Sequence, residues 1–227
     1  VTESFGQTQI TANFVTVMDT DQMVPDAVEV TFPTATVALD DNGGYVANLE
    51  AYEGMLVNIP TDMAVSELFN LDRFGQYNVT EGGRPAQFTQ TNDPDVAGND
   101  AYLEEVAART IVLDDGLSTQ NPDEIRVIDG NDGILTSDDT FRMGDTITDI
   151  TGVVNYSFDE FRIQAPDGTY TQTNPRPSEP ADLGGNFKVA SLNVLNYFTT
   201  IDESGVTTDN GSDPRGADSA LEFERQA

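Results

Sequence analysis

Side chains able to do chemistry are few in kind along this 227-residue chain, which has no His, Cys or Trp and sets 40 Asp and Glu against 10 Lys and Arg. The missing types exclude disulfides, thiolate or imidazole metal centres, Ser-His-Asp triads and Cys-His dyads. What remains suits hard cations held by oxygen ligands, or paired carboxylates. The densest run of such oxygens is Asp129-Gly-Asn131-Asp132-Gly133, continuing to Asp138-Asp139. Alternate oxygens of Asp129, Asn131 and Asp132 could hold a structural Ca²⁺. The run departs from an EF-hand loop, with Gly133 at the fifth position and Thr140 at the twelfth. A solvated Asp/Gly turn is the other reading, because these residues dominate turns anyway.

Arg and aromatic rings interleave in one place, Leu68-Phe69-Asn70-Leu71-Asp72-Arg73-Phe74-Gly75-Gln76-Tyr77, followed by Glu81-Gly-Gly-Arg84-Pro85-Ala86-Gln87-Phe88. Base stacking on an aromatic ring is worth about 1–3 kcal/mol per base, with cations tracking the phosphates. On this reading Arg73 and Arg84 contact phosphates, while Phe74, Tyr77 or Phe88 serve as platforms. Against it, aromatic rings at strand spacing commonly fill cores, and Asp72 or Glu81 is close enough in sequence to pair with Arg73.

Charge sharpens the conflict. The formal net charge is −30, and residues 51–165 carry 22 acidic and 6 basic side chains, a balance of −16. Few cations are left to neutralise phosphate, which dominates nucleic-acid affinity. Divalent cations bridging carboxylate and phosphate are one remedy. A hydrated carboxylate surface of this kind suits a secreted protein in salty water, where self-repulsion is screened. No apolar run approaches the roughly 18–20 residues that span a bilayer.

The dominant periodicity is two. Strands are expected over Gln9–Met18, Ala27–Phe32, Met55–Ile59, Gln76–Thr80, Thr110–Leu113, Glu124–Ile128, Thr146–Tyr156 and Glu160–Ala165, separated by Gly, Asp and Asn turns. Helices are expected over Asp62–Leu71, capped by Asp62, and over Asp100–Arg109. This is a mainly β chain with strands spaced as in a sandwich or small barrel. Val1–Ile10 parallels Val154–Ile163 at a constant offset of 153, with Val, Ser, Phe and Ile recurring. Both copies read as β-hairpins, and Gly152 is placed for a bend or bulge in the strand leading to the second. The expectation is that residue 1 begins within a barrel whose earlier strands are absent.

Four of the 11 prolines lie in Pro166–Pro180, which reads as an extended linker. A buried-strand pattern follows over Phe187–Phe198, and Ala217–Ala227 reads as the first turns of a helix. "FKVASLNVLNYF" with "RGADSALEFERQA" resembles the start of the catalytic domain of extracellular bacterial endonucleases in the DNase I-like endonuclease/exonuclease/phosphatase superfamily. Upstream, "YEGMLVNIP", "LFNLDRFGQYNVTEGGRPAQFTQ", "ARTIVLDDG" and "RMGDTITDITGVVNYSFDEFRI" resemble the region preceding that domain, which contains modules similar to OB-folds.

The resemblance implies a secreted, metal-dependent nuclease acting on DNA or RNA. It implies an Asn at the end of the first catalytic strand, here Asn193, that helps hold a divalent cation (Mg²⁺ or Ca²⁺) and the scissile phosphate. The metal-binding Glu, general-base Asp and two His of that superfamily have no match, so this chain alone is expected to be inactive. The expected organisation is the end of a first OB-like module (1–50), an OB-like β-barrel (51–165), a Pro-rich linker (166–186) and the truncated start of an α/β nuclease domain (187–227). A non-catalytic acidic β-module for cell-surface adhesion or assembly is the alternative.

Overall fold

The computed structural model describes residues 1–226 apart from 5, 21, 137, 183, 188, 192–197, 203–204 and 209. Strand accounts for 29% of the chain and helix for 14%, so the fold is mainly β, as the patterning requires. Two compact units are present: Val1–Leu135 with Thr140–Pro175, and Thr136–Asp139 with Arg176–Ala227. In chain order the first holds β1 (Thr2–Ser4), β2 (Gln7–Gln9), β3 (Val28–Glu29), β4 (Val37–Leu39), β5 (Tyr45–Ala47), β6 (Leu56–Ile59), β7 (Met63–Glu67), α1 (Leu71–Phe74), β8 (Gln76–Glu81), α2 (Val96–Arg109), β9 (Thr110–Asp114), β10 (Thr146–Ser157) and β11 (Glu160–Thr171). In the second, the helix expected within 217–227 is α3 (Ala220–Gln226), with the Ser219 hydroxyl accepting from the Glu222 N–H at 3.2 Å.

Seven strands form one mixed sheet in the order β11-β9-β8-β7-β10-β6-β3, and β11 pairs with β10 as well. The succession β7-β8-β9-β11-β10 therefore returns to β7. Within it every neighbouring pair is antiparallel except β9 and β11, which are parallel. Alternating side chains fill the interior: Met63 and Val65 from β7, Val79 from β8, Leu113 from β9, Ile147 and Ile150 from β10, and Ile163 from β11 are all 0% exposed. Each such burial is worth roughly 1.5–3 kcal/mol.

Strand β10 meets β7 through Thr146 and Ile147, then meets β6 from Ile150 onward. The change of partner falls at Asp149, whose φ is +53°, and the register against β11 shifts on both sides of Thr151. Gly152 occupies the second shift, as its sequence position suggested. A Cβ there would collide with the Ile163 side chain and stand 2.9 Å from the Gln164 carbonyl oxygen. The repeat is borne out in geometry too. In β1–β2 Ser4 faces Gln7 and Thr2 faces Gln9; in β10–β11 Ser157 faces Glu160 and Asn155 faces Arg162, the same register 153 residues on.

Several expectations need correction. Residues Met63–Glu67 form strand β7, not the first turns of a helix over Asp62–Leu71; only Leu71–Phe74 is helical. Apolar residues at 63, 65, 68 and 69 fit either period, and pairing of Val65 with Val79 decides for the sheet. The strand expected over Gln9–Met18 stops at Gln9. Glu124–Ile128 contributes an isolated bridge, Arg126 to Ile134, rather than a strand. Strand β11 passes through Pro166 to Thr171, into the stretch read as linker. Proline is tolerated because it sits where the β10 register shifts. The α2 helix matches expectation and starts earlier, with Asp95 as its cap accepting from the Gly98 N–H at 2.9 Å. The strand expected over Phe187–Phe198 lies largely outside the described residues.

The ends of β10 and β11 are fastened by Asp145, which is 0% exposed. Its carboxylate accepts from the Arg142 N–H at 3.1 Å, the Tyr170 hydroxyl at 2.7 Å and the Asn174 N–H at 2.8 Å. Burial, then the bond to Asp145, pushes the Tyr170 hydroxyl up to about 12. Replacing Asp145 with Ala strands these donors and should cost about 2–4 kcal/mol, visible as a clearly lower urea midpoint with unchanged m-value. A loss below about 0.5 kcal/mol would show that the carboxylate does not hold this corner.

Candidate functional site

Arg73 and Phe74 lie on α1, in the connection between β7 and β8. This short helix ends because Gly75 adopts φ +67°, and the Asp115 carboxylate fills the space where a side chain on Gly75 would project. Arg73 is exposed, its guanidinium 5.1 Å from the centroid of the half-buried Phe74 ring. Phe69, four residues earlier, is 86% exposed. The loop thus presents one cation and two rings at one end of β8.

The other expected members are not gathered there. Tyr77 is 2% exposed and packs edge-on to Phe141 at 5.4 Å, while its hydroxyl oxygen accepts from the Ile128 N–H at 3.2 Å. It is a core residue, not a stacking platform: its place on β8 points it inward, beside Val79. Burial holds its hydroxyl far above the ordinary range. Arg84 is exposed but follows the far end of β8, whose 6 residues separate it from Arg73 by about 20 Å. Phe88 leans on Tyr102 of α2 at 5.9 Å.

One oxygen each of Asp129 and Asp132 is used within the loop, while Asp129 Oδ2 is buried without a hydrogen-bond partner. Asp129 Oδ1 accepts from the N–H groups of Asn131 at 2.8 Å and Gly133 at 3.2 Å, and Asp132 Oδ1 accepts from Ile134 at 3.1 Å. These are the bonds of a chain of Asx turns. Among the described residues no three His, Cys, Asp or Glu side chains gather to hold a metal ion, so the geometry fits the turn better than a Ca²⁺ cage. Asn193 lies outside the described residues.

A buried polar group that sequence reading missed lies on the outer side of β9 and β11. Arg162, 1% exposed, donates to Asp114 Oδ2 at 2.9 Å, to Glu160 Oε1 at 3.1 Å and to the Ser157 carbonyl at 2.6 Å. Asp114 also accepts from Gln76 Nε2 at 2.8 Å. Phe158, 88% exposed at the hairpin tip with φ +51°, lies over the guanidinium at 5.6 Å. Asp114 and Arg162 are 48 residues apart, and only the parallel pairing of β9 with β11 joins them. Nearby, the hairpin β4–β5, helix α2 and residues of β8, β9 and β11 line a cavity of about 410 Å³ that includes Tyr45, Asn78, Leu103, Val112 and Phe161.

A family described as a domain of unknown function, DUF8508, matches residues 17–175. The chain belongs to that family. The DUF8508 region contains every strand of the closed succession and ends where the first compact unit ends, at Pro175. It starts after the β1–β2 hairpin. No curated protein and no solved structure matches the chain.

Two partly buried carboxylates of the DUF8508 region, Glu160 and Asp115, are held above their ordinary range. Burial raises Glu160, partly offset by Arg162; burial raises Asp115, partly offset by the Leu117 N–H. With folded pKa values above the unfolded ones, the folded state binds more protons in the window just above the ordinary carboxylate range. Stability then rises as pH falls from neutral through that window, and the gain is complete below the unfolded pKa values. The Tm is expected to be higher at about pH 5 than at about pH 7.5. Asp115→Asn should raise the Tm at the higher pH and narrow that difference. A Tm that falls steadily on acidification in both proteins contradicts this.

Proposed function

We propose that the DUF8508 region is an OB-like module that positions nucleic acid for a secreted, metal-dependent nuclease. The observation that carries this is the closed succession β7-β8-β9-β11-β10 with a single parallel pair, a five-stranded Greek-key arrangement of the kind that binds oligonucleotides through its second and third strands and the loop between the first two. In that order β7–β8 is the first connection, and it carries Phe69, Arg73 and Phe74. Arg73 would meet phosphate, and Phe74 with Phe69 would meet bases. Hydrolysis itself belongs to the domain that the Phe187–Ala227 segment resembles, with its Mg²⁺ or Ca²⁺ and Asn193; on this reading the chain alone is inactive.

Affinity should be low. Of the six basic residues in 51–165, Arg109 and Arg162 are held by carboxylates at 3.5 and 2.9 Å, Arg126 lies 4.0 Å from Glu124 and Arg142 is half-buried, so the exposed Arg73 and Arg84 carry most of the electrostatic part. One observation favours the second reading, an acidic β-module for adhesion or assembly. The outer face of β9, where an OB-like barrel would take a strand, is roofed by α2 and the β4–β5 hairpin.

Fluorescence anisotropy with single-stranded and duplex oligonucleotides, with and without Ca²⁺, separates the two. The nucleic-acid reading expects a Kd of about 10⁻⁴ M for single strands at low salt, weakened about fivefold by Arg73→Ala. No binding tighter than about 1 mM, with Arg73→Ala silent, would leave the structural module as the better account.

A further inference from the structure

The stretch after β2 is unlike the rest of the chain. Ser4 to Met18 is a run of 15 residues without a charged side chain in a protein of net charge −30. Its large apolar side chains face solvent: Ile10 is 80% exposed, Phe14 83%, Val15 83%, Val17 74% and Met18 91%. Among the described hydrogen bonds, none involves residues 11–18. Yet the same stretch, shifted by 153, falls on Gln164–Thr171 of β11, which is paired. Residues 10–18 therefore have the composition, alternation and antecedent hairpin of a strand that lacks a sheet.

We propose that this segment pairs with the same segment of a second copy of this chain, antiparallel about a two-fold axis at Phe14. Charge selects the occupant. Two polyanions of this size repel wherever carboxylates meet, and the uncharged stretch lets them touch. Centred on Phe14, the pairing puts Ile10 opposite Met18 and Ala12 opposite Thr16 on the face that Phe14 shares. The flanking Asp19 falls opposite Gln9, and Glu3, turned back against Thr8 in the β1–β2 hairpin, lies outside the new pairing, so no two carboxylates are opposed. A self-complementary strand meeting its own copy forms an isologous, closed dimer, since the same patch is used on both sides.

The test is sedimentation velocity of the full chain from about 1 to 100 µM at 0.1 M and 1 M NaCl, where the Debye length falls from about 10 to about 3 Å. A monomer–dimer equilibrium is expected, with the dimer fraction higher at the higher salt. Phe14→Asp and Val17→Asp should each weaken it at least tenfold, while Phe69→Asp leaves it unchanged. Since the chain has no cysteine, Phe14→Cys supplies a second readout: oxidation should link it into a covalent dimer, and Phe69→Cys should stay monomeric. Monomers throughout, a dimer indifferent to Phe14→Asp, or open-ended aggregates would each overturn the proposal.

Discussion

A carboxylate removed from water must find its donors within the protein, and the structure is organised around one that does. Asp145 stands at the entry to β10, and Asn174 and Tyr170 stand at the exit of β11. Joining them fixes the relative slide of the two 12-residue strands. The main chain repeats the constraint: Val65 N–H donates to the Asp145 carbonyl at 2.8 Å, and Gly144 N–H to the Val65 carbonyl at 2.7 Å. One corner thereby holds β7, β10 and β11 together. Without it, β10 could not leave β7 for β6 at Asp149 while keeping its alternation against β11.

The second buried polar centre works on the opposite side of the sheet and explains how so acidic a chain folds. Arg162 lies among Asp114, Glu160 and a carbonyl, so its charge is spent inward. Arg109 pairs with Glu105 and donates to the Glu81 carbonyl at 2.9 Å. These guanidiniums staple strand ends, and Arg73, Arg84 and Arg126 remain exposed among a large excess of carboxylates. A bidentate, delocalised cation is suited to that buried role, where a lysine ammonium would need full desolvation.

Much of the sheet was legible from alternation alone. Met55–Ile59, Gln76–Thr80, Thr110–Leu113 and Thr146–Tyr156 read as strands from their apolar patterning, and Gly152 marked the bulge. The failures share a physical origin. Met63 and Val65 fit both periods, so their fate depended on Val79, a partner the local pattern does not name. The alternating run after Gln9 has strand composition without strand contacts, because pairing is a property of two segments. Tyr77 looked like a platform beside Arg73, but adjacent strand residues point to opposite faces, and Tyr77 turned inward. Of the candidate site, only the Arg73–Phe74 stack was readable; the Arg162–Asp114 pair rests on a parallel contact between distant segments.

Helix α2 ends at Arg109 and β9 begins at Thr110, with no residue between them. The Thr110 hydroxyl donates back to the Val106 carbonyl at 2.8 Å, and the Thr34 N–H reaches the Ala108 carbonyl at 2.7 Å. A cover that swings needs slack at its root, and this one has none: tilting the helix would shear β9 against β8 and β11. The α2 wall of the chamber beneath it is therefore held by the sheet itself.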